Sequence, residues 1–128
     1  MTDKELCEQY GVELCLFDAS DWHSSGFYNH DTKVIGIDKN LDPSYRRQVL
    51  LHELGHIQHC SYSYQFNPIK YENQANRNMI HHLVKDAISQ LNDVKDFNYL
   101  KFMEYYNLNT TTDEIMIKEE FHGLVSGL

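Results

Sequence analysis

The chain has 128 residues, 41% hydrophobic and 23% charged, a size that suits one domain with one modest core. Nineteen acidic residues against eleven basic give a net charge of −8. That excludes the basic face with which a protein displaces counterions from phosphate, so direct nucleic-acid binding is not expected. Three widely spaced cysteines (Cys7, Cys15 and Cys60) exclude a disulfide-dense secreted scaffold and read as free thiols. The opening Met1–Glu5 has neither the basic nor the apolar segment of a signal peptide. No stretch approaches the ~20 apolar residues that span a bilayer. A cytoplasmic protein with no membrane partner is the expectation. Eight histidines exceed ordinary usage, and composition alone assigns them no role.

The elements read as α+β. Thr2 with Glu5 forms a capping-box pattern, and Gly11 ends that short helix. Val12, Leu14 and Leu16 alternate with Glu13 and Cys15, as in a half-buried strand. Gly26–Asn29 and Lys33–Ile37 flank His30-Asp31-Thr32, which predicts a hairpin. Asp42-Pro43 is an N-cap followed by proline at the first helical position, and predicts a helix from Pro43 to about Cys60. Ser61–Pro68 reads as a loop. A second long helix is predicted from about Ile69 to Leu91. Asn92 or Asp93 then caps a helix reaching about Tyr106. Thr111 with Glu114 starts a last helix, from Asp113 to about Leu124.

His52-Glu53-Leu54-Gly55-His56 is an HExxH motif on the predicted Pro43 helix. On a helix, residues four apart share a face, so both imidazoles reach one ion. Glu53, beside the first histidine, points toward the open coordination position, where it can take a proton from a bound water. Leu50, Leu54 and Ile57 form a stripe suited to packing on a sheet, while Tyr45, Val49, His52, His56 and His59 lie opposite.

A catalytic zinc site takes a third protein ligand. A third histidine in the metzincin pattern would need position 62, which holds Tyr62. Glu72 is the better candidate. It heads a mostly apolar stripe through Ala75, Met79, Ile80 and Leu83, where a carboxylate is costly unless paired or bound to a metal. A role for Glu72 at the helix N-terminus is the bland alternative. His59 is a second candidate ligand or an outer partner of the site. Asn76, one turn after Glu72, is placed to hydrogen-bond a ligand or a substrate. His81 should face solvent, and His82 should border the cleft.

These residues resemble the ImmA/IrrE metallopeptidases. His52–Ile57 carries the first motif, and Glu72-Asn73-Gln74-Ala75-Asn76 fits the family's E-x-x-A-N pattern. Val34-Ile35-Gly36-Ile37-Asp38 looks like the family's segment before its zinc helix. The resemblance covers about residues 12–91 and is closest to the short phage and mobile-element members. It implies a single zincin-like minimal metallopeptidase domain over 1–128: a small β-sheet packed on a zinc-binding HExxH helix, a second long helix, and a helical C-terminal part from about 92. It implies Zn2+ held by His52, His56 and Glu72, with Glu53 as general base. It also implies a protein substrate, commonly a helix-turn-helix repressor whose cleavage derepresses phage or mobile-element genes. In one departure, Arg77-Asn78-Met79-Ile80 stands where the family often continues with Phe-Ala and a run ending Leu-Met-Pro.

Hydrolysis also needs an oxyanion donor, for which Tyr28, Tyr62, Tyr71 and His82 are candidates. Strand Val34–Ile37 is expected to offer its edge to an extended substrate. Two other readings compete. One is a zinc-containing anti-repressor that binds its target without cutting it. The other is a structural zinc site closed by a fourth residue such as His59 or Cys60. Intact Glu53 favours hydrolysis. The aromatic run Phe97–Tyr106 reads mainly as core, and the acidic residues of the tail as a solvated face.

Overall fold

The computed structural model describes residues 1–59 and 61–126, with the backbone alone for 61–63. It is α+β, with one three-stranded sheet and several helices, in two compact units, Met1–Asn78 and Met79–Leu128.

The first unit opens with α1 (Asp3–Gln9). The Thr2 hydroxyl accepts from the Glu5 amide at 3.1 Å, and Gly11 takes a left-handed φ of 70° just past the helix end. Strands β1 (Glu13–Phe17), β2 (Gly26–Asn29) and β3 (Val34–Asp38) follow. The sheet order is β1-β3-β2, with β3 parallel to β1 and antiparallel to β2. This corrects the expected substrate edge. Val34–Ile37 lies in the middle strand, so its backbone groups are taken on both sides, and β2 is the outer strand of the hairpin. Here the central strand is also covered on both faces. On one side Ile35 and Ile37 are fully buried, toward α2. On the other, Gly36 lies beneath the Phe27 ring, where a Cβ would come within 2.2 Å of it. Phe17 closes over Phe27 at a centroid distance of 5.3 Å.

Helix α2 (Pro43–Leu54) begins as predicted. The Asp42 carboxylate accepts from the Ser44 and Tyr45 amides, and Pro43 occupies the first turn. It ends at Leu54, earlier than expected. From Gly55 the chain continues in tight turns, with the His56 amide bonded to the Glu53 carbonyl at 3.0 Å. Leu50, Leu51 and Leu54 are buried, and Val49 lies against Gly26 of β2 rather than on a face opposite the sheet. The segment expected to be a loop contains a short helix, α3 (Ser61–Phe66). Helix α4 (Pro68–Ser89) matches the second long helix, and its first half belongs to this unit.

The second unit holds the rest of α4, α5 (Tyr99–Tyr105) and α6 (Thr111–Ser126). The predicted single helix after Asn92 is split. Asp93 caps only a 3-10 turn, Val94–Asp96, and Asn98 caps α5 through the Leu100 and Lys101 amides. Two good N-caps five residues apart give two starts. The cap of α6 is Thr110, one residue before the expected Thr111, with its hydroxyl accepting from the Asp113 amide at 3.0 Å. The aromatic run divides between core and surface. Phe102 is buried and Phe97 stacks on Phe121 at 4.6 Å, while Leu100 and Tyr105 stay exposed. His81, expected to face solvent, is half-buried and meets Glu120 at 2.9 Å. Among the described residues no helix is long and apolar enough to cross a membrane.

Cys7 is buried in the first unit, and burial pushes its thiol up to about 11, helped by the Asp3 charge and opposed by Arg47. Cys15 is exposed. At about pH 8 iodoacetamide should therefore modify Cys15 readily and spare Cys7 until the fold is opened, because the thiolate is the nucleophile. Peptide mapping by mass spectrometry reads the two sites separately, and equal labelling of the native protein would contradict the buried placement.

Candidate metal centre

Helix α2 and the turn after it supply two imidazoles, and the first turns of α4 supply a carboxylate. His52 Nε2 and His56 Nε2 stand 3.2 Å apart. Glu72 spans the pair, with Oε2 at 2.9 Å from His52 Nε2 and Oε1 at 3.2 Å from His56 Nε2. Among the described residues, His52, His56 and Glu72 form a group able to hold a metal ion. A tetrahedral ion with bonds of ~2.0–2.1 Å spaces its ligand atoms by roughly 3.3 Å, close to these separations.

The outward atoms are also engaged. His52 Nδ1 meets the Asn76 carbonyl oxygen at 2.8 Å. That oxygen accepts, so a proton on Nδ1 would leave Nε2 free to ligate an ion in place of its contact with Glu72. His56 Nδ1 meets His59 Nδ1 at 2.9 Å. The Tyr64 hydroxyl donates to Glu72 Oε1 at 2.7 Å. Two imidazole Nε2 atoms and a carboxylate thus converge on one point, and that set of ligand types suits a cation. His59 faces the outer side of His56, and it is Glu72 that approaches the two Nε2 atoms. Cys60 lies outside the described residues.

Electrostatics follow from burial and from the closely spaced ionisable groups. Burial pushes the Glu53 carboxyl above its ordinary value, with Glu72 adding to the rise and His52 opposing it. Burial also holds His56 below the usual histidine value, against the pull of Glu72. For Glu72 burial acts upward, but the Tyr64 hydrogen bond and the two histidines outweigh it, and the carboxyl sits low.

A cleft of about 470 Å³ opens on the cluster, with Glu53, His56, Glu72, Tyr28, His30 and Tyr64 on its walls. Of the oxyanion candidates, Tyr28 lines this cleft from β2. Tyr71 instead stacks beside His59 at 4.6 Å and lines a separate cavity with Gln74 and Asn78. The side chain of Tyr62 lies outside the described residues, and His82 belongs to the second unit. Tyr64 is not signalled by the sequence. Its segment reads as a loop, and no spacing rule relates a loop tyrosine to Glu72.

One contact brings the two motifs together. A Cβ on Gly55 would lie 2.7 Å from the Ala75 Cα, 3.1 Å from its carbonyl oxygen and 3.1 Å from the Asn78 Cβ. The Asn78 amide donates to the Leu51 carbonyl at 3.0 Å beside this contact. The glycine of HELGH and the alanine of ENQAN are thus two sides of one backbone approach.

An HExxH helix under a small sheet, with a glutamate from a following helix, defines a metallopeptidase-like domain. The Peptidase_M78 family, described as the IrrE N-terminal-like domain, matches residues 7–118, and the chain belongs to it. Neither a curated protein nor a solved structure shows significant similarity to the chain.

Gly55→Ala should push α4 away from α2, since backbone stands where the methyl group must go. Overpacking of this kind costs ~1–3 kcal/mol. Denaturant unfolding of the metal-free protein should show that loss, and chelator competition should show weaker metal binding. Unchanged stability and affinity would mean the approach is not tight.

Proposed function

We propose that the chain is a zinc-dependent metalloendopeptidase of the cytoplasm, and that it inactivates a helix-turn-helix phage or mobile-element repressor by cutting it. The observation that carries this reading is Glu53. A carboxylate lies on the wall of an open cleft beside two imidazoles and a second carboxylate. A purely structural metal site has no use for that group. Two imidazoles and a carboxylate, with room left for water, are the ligand set of catalytic zinc.

His52, His56 and Glu72 would hold the zinc, which when bound would supply an acidified water and polarise the peptide carbonyl. Glu53 accepts the proton of the attacking water and passes it to the leaving amine nitrogen. Its raised carboxyl pKa suits the second half of that task. Of the two tyrosines on the cleft wall, Tyr64 already donates to Glu72. Tyr28 is therefore the one with a hydroxyl to offer the carbonyl oxyanion. The adjoining outer strand β2 presents backbone groups with which an extended substrate segment pairs. The −8 charge suits a partner whose own DNA-binding surface is basic, and the resemblance to short phage and mobile-element members supports the same substrate.

Zinc-loaded wild-type protein, incubated with a repressor encoded beside its gene, should yield discrete fragments. Glu53→Gln should keep its zinc and lose ~10²-fold or more in cleavage rate. Release of the repressor from DNA with no fragments would overturn the peptidase reading in favour of binding alone. Cleavage by Glu53→Gln at the wild-type rate would remove Glu53 from the chemistry.

A further inference from the structure

We infer that Ser24 limits where a substrate segment pairs with the sheet: its hydroxyl closes the outward backbone groups of Gly26 and leaves those of Tyr28 as the open pairing position on β2. This rests on the peptidase reading above, to which it adds the register of the bound segment.

The ladder decides which backbone groups of β2 face outward, because successive residues of a strand turn their N–H and C=O groups to alternate sides. On the β1 side of β3, the Lys33 carbonyl accepts from the Glu13 amide at 2.9 Å, and the Lys39 amide donates to the Phe17 carbonyl at 2.8 Å. Ile35 and Ile37 share that side, so Val34, Gly36 and Asp38 serve β2. The Asp38 amide does donate to the Ser25 carbonyl at 2.8 Å. Phe27 lies opposite Gly36 and Asn29 opposite Val34, so both turn their groups toward β3. Gly26 and Tyr28 turn theirs to the open side, where a further strand would add.

The two positions differ. The Ser24 hydroxyl donates to the Gly26 carbonyl oxygen at 2.8 Å and accepts from the Gly26 amide at 3.3 Å. Both directions are fixed, since a carbonyl only accepts and a backbone N–H only donates. One side chain thus engages both groups that an added strand would need, and Gly26 is buried. Among the described residues, no comparable group bonds the outward N–H and C=O of Tyr28, whose residue lines the cleft. An extended segment therefore gains two backbone hydrogen bonds at Tyr28 and none at Gly26. It runs along the Tyr28 and His30 side of the cleft and leaves the sheet edge at Gly26. Glu53 stands beside that point, its Cγ 3.3 Å from where a Cβ on Gly26 would lie. Closing Gly26 also shortens the unpaired edge that would otherwise invite pairing with any exposed strand.

Ser24 precedes β2 and is half-buried, so Ser24→Ala removes the hydroxyl with little change of volume. Amide hydrogen exchange of the full-length, metal-free protein, read residue by residue by NMR, tests the closed position. Protection of the Gly26 amide should fall about tenfold in Ser24→Ala and hold in Ser24→Thr, which keeps the hydroxyl, while the Tyr28 amide exchanges freely in all three proteins. A Gly26 amide unprotected in wild type, or equally protected in Ser24→Ala, would overturn the role of Ser24.

A complex tests the open position. Zinc-loaded Glu53→Gln protein is mixed with the repressor encoded beside its gene, so that the segment is held with little cutting. The Tyr28 amide should then gain about tenfold protection with the Gly26 amide unchanged, and adding Ser24→Ala should let both amides gain. A bound repressor that leaves the Tyr28 amide unprotected, or that adds protection at Gly26 while Ser24 is present, would overturn the register. A repressor that does not bind would overturn the substrate reading itself, while exchange in the free protein still judges whether Ser24 closes Gly26.

Discussion

The site depends on one steric constraint, the approach of the Gly55 backbone to Ala75. Glu72 has to stand opposite two histidines that come from α2 and the turn after it. A side chain larger than hydrogen at 55 would meet the Ala75 Cα at 2.7 Å. The chain meets this demand by placing its smallest residue in the turn after α2 and a small one on α4. The Asn78–Leu51 hydrogen bond then holds the two segments at that spacing. Glu72, one turn before Ala75, is carried to within hydrogen-bond distance of His52 as a result.

The same stretch of α4 also supplies the partners of the cluster's outer atoms. Asn76 meets His52 and Gln74 meets His59, while Tyr64 of α3 meets Glu72. The ligand atoms left over all face inward. Fixing rings and a carboxylate in advance removes the entropy of ordering them when an ion binds, and outer hydrogen bonds have this effect at metal sites generally. Glu53 lies apart from this lattice, with its pKa raised chiefly by burial.

Much of the fold was legible locally. The caps at Thr2 and Asp42, the hairpin around Asp31 and the long helix after Pro68 are set by short-range chemistry, and they fall where sequence patterns place them. The failures have physical causes. Helix α2 ends before the expected Cys60 because Gly55 tightens the last turn to reach Ala75, a contact between segments twenty residues apart. Sequence does not reveal that Val34–Ile37 is a central strand, because alternation tells which face is buried, not which neighbours pair. Helix α3 is not legible in the sequence because its six residues carry no clear apolar period. The split before α5 follows a competition between two N-caps that propensity alone does not rank.

By itself the sequence determined the spacing of His52, Glu53 and His56, the candidacy of Glu72 and the family resemblance, because helical periodicity and a short motif are local properties. The tertiary structure decided how Glu72 meets the histidines, that Tyr64 joins the site, that β2 is the outer strand beside the cleft, and that His59 turns to the outer side of His56. Each of these depends on contacts between residues distant in the chain or on which hydrogen-bond partner a ring can reach. Such contacts leave no periodic trace in a single sequence.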